Sequence, residues 1–140
     1  MKTKRIFRAA ILTVLLAACV AMTGCASRPA GMTEIRVDGQ IRQSGQTVQT
    51  PEGSLRVIFT LDGETLLELP FGEAHTVAIR QADGCENIIR MTGEAVYMES
   101  ATCKNQDCVR MGEITPENLE LRAMGGFIVC LPQKVTIEVR

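Results

Sequence analysis

The chain has 140 residues, with 15 Lys and Arg against 16 Asp and Glu, so its formal net charge is −1. This length allows one domain with a modest core. The balanced charge argues against a nucleic-acid-binding surface, which needs clustered cations, and the lack of Trp with a single Tyr argues against aromatic stacking platforms.

The first 24 residues have the pattern of a lipoprotein signal peptide. A basic start over residues 2–8 precedes an uncharged, apolar run over residues 9–22. That run is shorter than the roughly 20 residues that span a bilayer as a stable helix. Two small residues, Thr23 and Gly24, then stand directly before Cys25. We therefore predict cleavage before Cys25 and acylation of its thiol, with palmitate as the expected lipid.

Cys19 is the alternative lipid anchor, because Leu16-Ala17-Ala18 before it also suits a signal peptidase. Cleavage there would shorten the apolar core and leave apolar residues on the mature N-terminus, so we favour Cys25. Residues 25–33 then form a polar tether and residues 34–140 a domain. The mature chain, residues 25–140, has a net charge of −5, since the four cations of the signal are lost. The predicted location is extracytoplasmic, lipid-anchored to the cell membrane.

The first half of the domain shows alternating strand patterns separated by turn signals. Residues 34–37 are a short strand candidate, and the polar stretch 40–53 indicates a loop or a weak edge strand. Residues 55–61 alternate with a period of two, with Leu55, Val57, Phe59 and Leu61 on one face. Asp62-Gly63 predicts a type I′ turn into a partner strand over residues 64–69, which ends before Pro70.

The second half continues the β pattern. Strands are predicted over residues 75–80, 87–91, 94–99, 127–131 and 134–139, with a hairpin turn at Thr92-Gly93. Residues 104–110 are the one helix-like stretch, of about two turns, and residues 115–124 form a longer connection. Amphipathic helices that alternate with strands are not seen. The pattern therefore favours an all-β fold, a small barrel or sandwich of short antiparallel strands with one short helical turn.

The segment 97–137 carries the most specific motif of the chain. Ala101-Thr102-Cys103 is followed by Cys108-Val109 after four intervening residues, and then by Gly112 and by Ile128-Val129-Cys130-Leu131-Pro132 before the final strand. The chain resembles the NusG domain II-containing family of exported bacterial proteins over roughly residues 34–139. The resemblance implies a compact β domain similar to the second domain of the transcription factor NusG.

The resemblance implies little about activity. Cys103, Cys108 and Cys130 stand at the family's three cysteine positions, whereas Cys85 is an addition outside the pattern. A lipidated protein outside the membrane does not reach RNA polymerase. The family's association with membrane systems for flavin and quinone electron transfer suggests an accessory role and an integral membrane protein as a partner.

The four cysteines of the exported domain predict two disulfides, since small exported domains use cross-links to offset chain entropy. Three connectivities are open. The hairpin about Thr92-Gly93 would bring Cys85 near Cys103, and Cys108–Cys130 would then attach the helical turn to the last hairpin. Cys103–Cys108 is disfavoured if residues 104–110 are helical, because residues five apart on a helix point away from each other.

A metal site is not expected from the spacing. Zinc sites usually pair cysteines two to four positions apart and need four ligands, and an exported all-thiolate zinc site is uncommon. His75, the single histidine, cannot complete an iron–sulfur site, and it has no nucleophile near it in sequence. We therefore expect no catalytic residue, resident metal or cofactor.

Two functional hypotheses remain. The first is a non-enzymatic accessory or binding module, tethered to the membrane beside a membrane partner. The alternative is a redox participant, either in thiol–disulfide exchange or as an electron-transfer accessory, that uses Cys103, Cys108 and Cys130.

Overall fold

The computed structural model describes residues 33–140. The predicted signal peptide and both candidate lipid anchors, Cys25 and Cys19, lie outside the described residues, as does all but the last residue of the tether. Within residues 33–140 no helix is long and apolar enough to cross a membrane.

The described chain contains ten strands and two single-turn helices. In chain order they are β1 Glu34–Val37, β2 Gln40–Arg42, β3 Gln46–Thr47, β4 Arg56–Leu61, β5 Glu64–Pro70, β6 Ala74–Arg80, β7 Glu86–Thr92, β8 Val96–Ala101, the α-helix α1 Asp107–Arg110, β9 Phe127–Cys130, the 3₁₀ turn Leu131–Gln133 and β10 Val135–Val139.

The strands form two five-stranded sheets. The first sheet has the order β2-β1-β6-β7-β8 and the second the order β3-β5-β4-β10-β9. All pairs are antiparallel except the short β3–β5 pair, which is parallel. Buried apolar side chains from both sheets form one core cluster. The architecture is therefore sandwich-like and all-β, and of the two predicted forms the sandwich, rather than a closed barrel, is the one observed.

The core follows from side-chain alternation along the strands. Val57 and Phe59 on β4 are fully buried, and Ile137 on β10 is paired with Phe59 in register. Ile58 is also buried, although it belongs to the opposite face of β4, where its register neighbours are Glu68 and Glu138. The predicted burial of the inner face of β4 is thus confirmed. The sequence pattern did not predict that Ile58, on the outer face, is buried as well.

The turn at Asp62-Gly63 has the predicted conformation. Both residues have positive φ, 52° and 88°, as a type I′ turn requires. Gly supplies that conformation without a steric penalty, and Asp tolerates it better than most residues. The sharp return explains how β4 and β5 pair directly.

The predicted helix over residues 104–110 is wrong in length. Gln106 adopts the left-handed conformation with φ 55°, so the helix begins only at Asp107. Residues 115–124, which we predicted as a connection, form a series of turns without a regular helix.

The predicted register of the hairpin that joins β7 and β8 is also wrong. The turn closes with Thr92 N–H donating to Ala95, not about Thr92-Gly93, and a bulge follows between Ile88 and Ile89. Both changes shift the pairing, so that Thr102 N–H donates to Glu86 at the open end of the hairpin. By extension of that register, Cys85 stands opposite Cys103.

Candidate functional site

Three cysteines converge where the two sheets meet at one side of the molecule. Cys103 follows β8, the edge strand of the first sheet, and Cys130 ends β9, the edge strand of the second. Cys108 lies on α1, which contacts both β8 and β9. The motif spacing in the sequence thus places three thiols at one junction, which we call the thiol cluster.

The sulfurs of the thiol cluster are close and shielded from solvent. The three Sγ atoms all lie within 4.8 Å of one another, and Cys103 Sγ is 3.6 Å from Cys108 Sγ. Cys108 and Cys130 are each 1% exposed, and Cys103 is 6% exposed. Only small reagents that enter beside Cys103 can reach these sulfurs without an opening of the fold.

Burial controls the ionisation of the cluster. Desolvation, together with hydrogen bonds that the Cys108 thiol donates to Cys130 and Cys103, raises the pKa of Cys108 to about 12. Desolvation also raises the pKa of Cys130, although hydrogen bonds from Asn87 and Cys108 oppose this change. Cys108 and Cys130 are therefore protonated near neutral pH, and a protonated thiol is a poor nucleophile.

Amide groups surround the sulfurs. Gln106 Nε2 lies 3.9 Å from Cys103 Sγ and donates to the carbonyl oxygens of Ala101 and Cys103. Cys130 Sγ is 3.4 Å from Gln133 Oε1, and Gln133 Nε2 donates to Thr102 Oγ1 at 2.6 Å. The amide of Asn87 is fully buried next to the cluster, and its Oδ1 has no hydrogen-bond partner. These polar groups on an otherwise apolar core hold the cluster in a defined environment.

Cys85 does not belong to the thiol cluster. It is partly exposed and lies in the turn after β6, where its backbone N–H donates to Asp83 Oδ1 at 2.9 Å. Hydrogen bonds from the backbone and the thiol of Cys85 lower the pKa of Asp83. The fourth cysteine is thus engaged locally, and its sulfur is not among the three that converge.

All four cysteines within residues 33–140 are free thiols in the structure. The distances between them nevertheless show which disulfides the fold would allow. Cys103 and Cys108 come closer than the sequence argument allowed, since Cys103 precedes a helix that begins only at Asp107. Cys108 and Cys130 are also neighbours. The pairing of Cys85 with Cys103 and of Cys108 with Cys130 stays a prediction.

His75 has a polar partnership that sequence reasoning missed. Its Nδ1 is 2.8 Å from Asp38 Oδ2, and its Nε2 is 3.1 Å from Glu73 Oε2. Burial lowers the pKa of His75, but the hydrogen bonds to Asp38 and Glu73 outweigh it and raise the pKa above its ordinary value. Asp38 is 37 positions away in sequence, so only the pairing of β1 with β6 brings the two residues together. The arrangement is a charged surface pair with no nucleophile in it.

The segment over residues 121–131 carries most of the exposed apolar surface. Within residues 33–140, four of the six large hydrophobic residues that are exposed belong to it, with exposed fractions of 84% for Leu121, 51% for Met124, 39% for Phe127 and 79% for Leu131. We call it the apolar segment. It includes β9, whose buried residues Ile128 and Cys130 alternate with the outward residues.

Arg122 fixes the conformation of the apolar segment. Its guanidinium donates to the carbonyl oxygens of Met111, Glu113 and Gly125 at 3.0, 2.6 and 3.1 Å. These carbonyls belong to a connection without regular structure, and the guanidinium gives them a partner. The exposed apolar side chains thus stand on an ordered surface.

Comparison with known protein families shows to which family the chain belongs. The sequence pattern described as NusG domain II matches residues 9–140. The chain belongs to the NusG domain II family. The motif that predicted the family contains three cysteines, Cys103, Cys108 and Cys130. In the folded chain these three residues form the thiol cluster. No curated protein matches the chain.

Solved structures share the fold of this family member. The Lin0431 protein from Listeria innocua is 23% identical, with a TM-score of 0.53, and the match covers 62% of this chain and 95% of that one. A DUF1312 family protein from Enterococcus faecalis V583 is 22% identical, with a TM-score of 0.54, and the match covers 62% of this chain and 97% of that one. These likenesses support the all-β fold.

Proposed function

We propose that this protein is a non-enzymatic accessory domain, lipid-tethered outside the cytoplasmic membrane, that binds a membrane protein partner through the apolar segment. Residues 121–131 carry the proposal, because four of the six exposed large hydrophobic residues within residues 33–140 lie in this one segment, and exposed apolar surface is typical of interaction sites. Four hydrophobic side chains grouped there cost free energy in water unless a partner covers them.

The predicted anchor explains why the partner is expected at the membrane. A lipid on Cys25 and a short polar tether hold the domain within a few tens of ångströms of the bilayer surface, since an extended chain spans at most about 3.5 Å per residue. The tether raises the effective concentration of the domain beside a membrane protein, so that docking resembles an intramolecular step. A contact surface of modest size is then sufficient for binding. An integral membrane protein with an apolar patch outside the bilayer is the partner that this arrangement favours.

The alternative, a redox participant that uses Cys103, Cys108 and Cys130, has weaker support. The 3.6 Å between Cys103 Sγ and Cys108 Sγ favours it, because a small movement would bring the two atoms to bonding distance. Burial and the raised pKa values of Cys108 and Cys130 oppose it, because thiol–disulfide exchange requires an accessible thiolate. Counting the free thiols of protein purified without reductant, before and after mild reduction, separates the two hypotheses.

A pair of charge substitutions tests the docking surface. In the tethered protein, Leu121→Glu with Leu131→Glu should reduce the recovery of a cross-linked membrane partner at least tenfold, because a charge on the contact surface opposes desolvation. The matched control is Ile41→Glu with Val48→Glu, two exposed apolar residues outside the apolar segment. Equal recovery from wild-type and Leu121/Leu131 protein, or equal loss in both double variants, would contradict the proposal.

A further inference from the structure

We propose that the thiol cluster binds one soft, thiophilic metal ion, with Cu(I) as the ion that fits best. The inference concerns a site on the opposite side of β9 from the exposed apolar side chains, and it does not depend on the proposed partner. It starts from the three sulfurs of Cys103, Cys108 and Cys130, which lie within 4.8 Å of one another although they come from three separate elements.

The distances suit three-coordinate binding. Three sulfurs around one ion, at metal–sulfur bonds of about 2.3 Å, stand about 4 Å apart when the ion lies in their plane. The observed 3.6 Å between Cys103 Sγ and Cys108 Sγ, and the 4.8 Å limit for the whole group, bracket that separation. An ion can therefore enter with only small side-chain adjustments.

The donor set selects the class of metal. Within residues 33–140, no carboxylate or imidazole joins the three thiols in this group, so every anionic donor is sulfur. Thiolate donors favour Cu(I), Zn(II) and iron–sulfur clusters over Mg²⁺ or Ca²⁺. Zn(II) in protein sites is almost always four-coordinate, and an iron–sulfur cluster needs four protein ligands. Three thiolates without a fourth converging ligand thus favour a three-coordinate Cu(I) ion.

The surrounding amides supply a second, independent observation. The Asn87 side chain is fully buried next to Cys130, and its Oδ1 has no partner. Gln106 Nε2 lies 3.9 Å from Cys103 Sγ. Gln106 Nε2 also donates to the carbonyl oxygens of Ala101 and Cys103, and Asn87 Nδ2 donates to Met98 Sδ at 3.7 Å, so both amide nitrogens place partial positive charge near the cluster. Such charge offsets part of the negative charge of a metal-bound thiolate, which is the usual role of residues around metal ligands.

Binding of Cu(I) at the thiol cluster requires no electron transfer, and its bonds and protons balance. One Cu(I) ion replaces three S–H bonds with three S–Cu bonds, and three protons pass to the solvent. The copper stays in the +1 state, and no sulfur is oxidised. The ion enters beside Cys103, the most exposed of the three ligands, where residues 104–106 form a surface loop.

The experiment uses the whole exported protein, reduced and kept under anaerobic conditions, with Cu(I) supplied against a competing chelator. We expect one equivalent of Cu(I) per chain, and X-ray absorption of the wild-type protein should show three sulfur neighbours at a single distance. Cys103→Ser, Cys108→Ser and Cys130→Ser should each lower the affinity at least a hundredfold, whereas the matched control Cys85→Ser should bind as the wild type does. Circular dichroism verifies that each variant is folded.

Because a serine variant can also fail to fold, the sulfur coordination of the wild-type protein decides the question on its own. Two sulfur neighbours, a stoichiometry unchanged by Cys130→Ser in a folded variant, or tighter binding of Zn(II) than of Cu(I) in the same competition would each overturn the Cu(I) site. The metal site excludes the disulfides predicted from the sequence, because each of them would remove a ligand thiol. A Cys103–Cys108, Cys85–Cys103 or Cys108–Cys130 disulfide in protein recovered from the cell surface would therefore overturn the proposal as well.

Discussion

The charge of His75 depends on two neighbouring carboxylates. A neutral imidazole has one N–H, whereas both ring nitrogens of His75 face carboxylates, Asp38 at 2.8 Å and Glu73 at 3.1 Å. The protonated ring can donate to both. Asp38 also accepts from the backbone N–H of Thr76 at 2.9 Å, and that bond, with the one from His75, lowers the pKa of Asp38. The group thus ties the β1–β2 turn to the start of β6.

The free energy of unfolding should therefore depend on pH around His75. The raised pKa of His75 means that its stabilisation is fully present below the unfolded pKa of about 6.5 and is lost as pH rises through the folded pKa. The lowered pKa of Asp38 makes its own contribution present above about pH 4 and lost in acid. His75→Gln should cost about 0.2–1 kcal/mol near pH 6 and almost nothing at pH 9.

Urea unfolding of wild type and His75→Gln at pH 5, 6, 7, 8 and 9 measures this difference. A control at another surface ion pair, Lys134→Gln opposite Asp62, should show no such dependence, because that pair contains no imidazole. A stability difference for His75→Gln that stays constant from pH 5 to 9 would show that His75 acts by packing and not by its charge.

At the scale of elements, the local sequence pattern predicts the strands but does not predict the thiol cluster. Alternation predicts β4 and β10, and turn chemistry predicts the Asp62-Gly63 return, because both signals lie within a few residues. The helix length depends on the left-handed conformation of Gln106, which no propensity indicates. The Cys103, Cys108 and Cys130 motif was visible in sequence, but their meeting at one point depends on how β8 and β9 stand relative to each other.

Gly126 shows what holds β9 in place at the end of the apolar segment. Its carbonyl accepts from Val139 N–H at 2.8 Å, and a Cβ on Gly126 would lie 2.2 Å from the backbone oxygen of Val139. Neither backbone segment can move away without loss of packing or hydrogen bonds. Gly126→Ala should therefore destabilise the domain by roughly 2–4 kcal/mol, through overpacking and backbone strain.

Gly72→Ala is the matched control for Gly126→Ala. A Cβ on Gly72 meets nothing within 4 Å, and its backbone does not need positive φ, so the change should be neutral or slightly stabilising. Urea unfolding of both variants measures the difference. Equal stability of the two variants would mean that the β9–β10 end is not as tightly packed as the contact implies.

At the scale of the molecule, the two faces of β9 connect the candidate sites. Its inward residues Ile128 and Cys130 belong to the core and the thiol cluster, and its outward residue Phe127, with Leu131 directly after the strand, belongs to the apolar segment. β9 is an edge strand, and a partner docked there would cover an edge that is otherwise open to pairing. Occupancy of the thiol cluster would stiffen the strand that the partner contacts.

The predicted lipid anchor at Cys25 would determine where the protein acts. Cys25→Ser should abolish incorporation of labelled palmitate and leave the protein either soluble or as an unprocessed precursor, because acyl chains supply most of the membrane affinity of such a protein. Cys19→Ser should be acylated and membrane-bound as the wild type is. Fractionation with palmitate labelling of both variants measures the outcome. Labelling that survives in Cys25→Ser and disappears in Cys19→Ser would move the anchor to Cys19 and lengthen the predicted tether by six residues, which places the thiol cluster and the apolar segment farther from the bilayer.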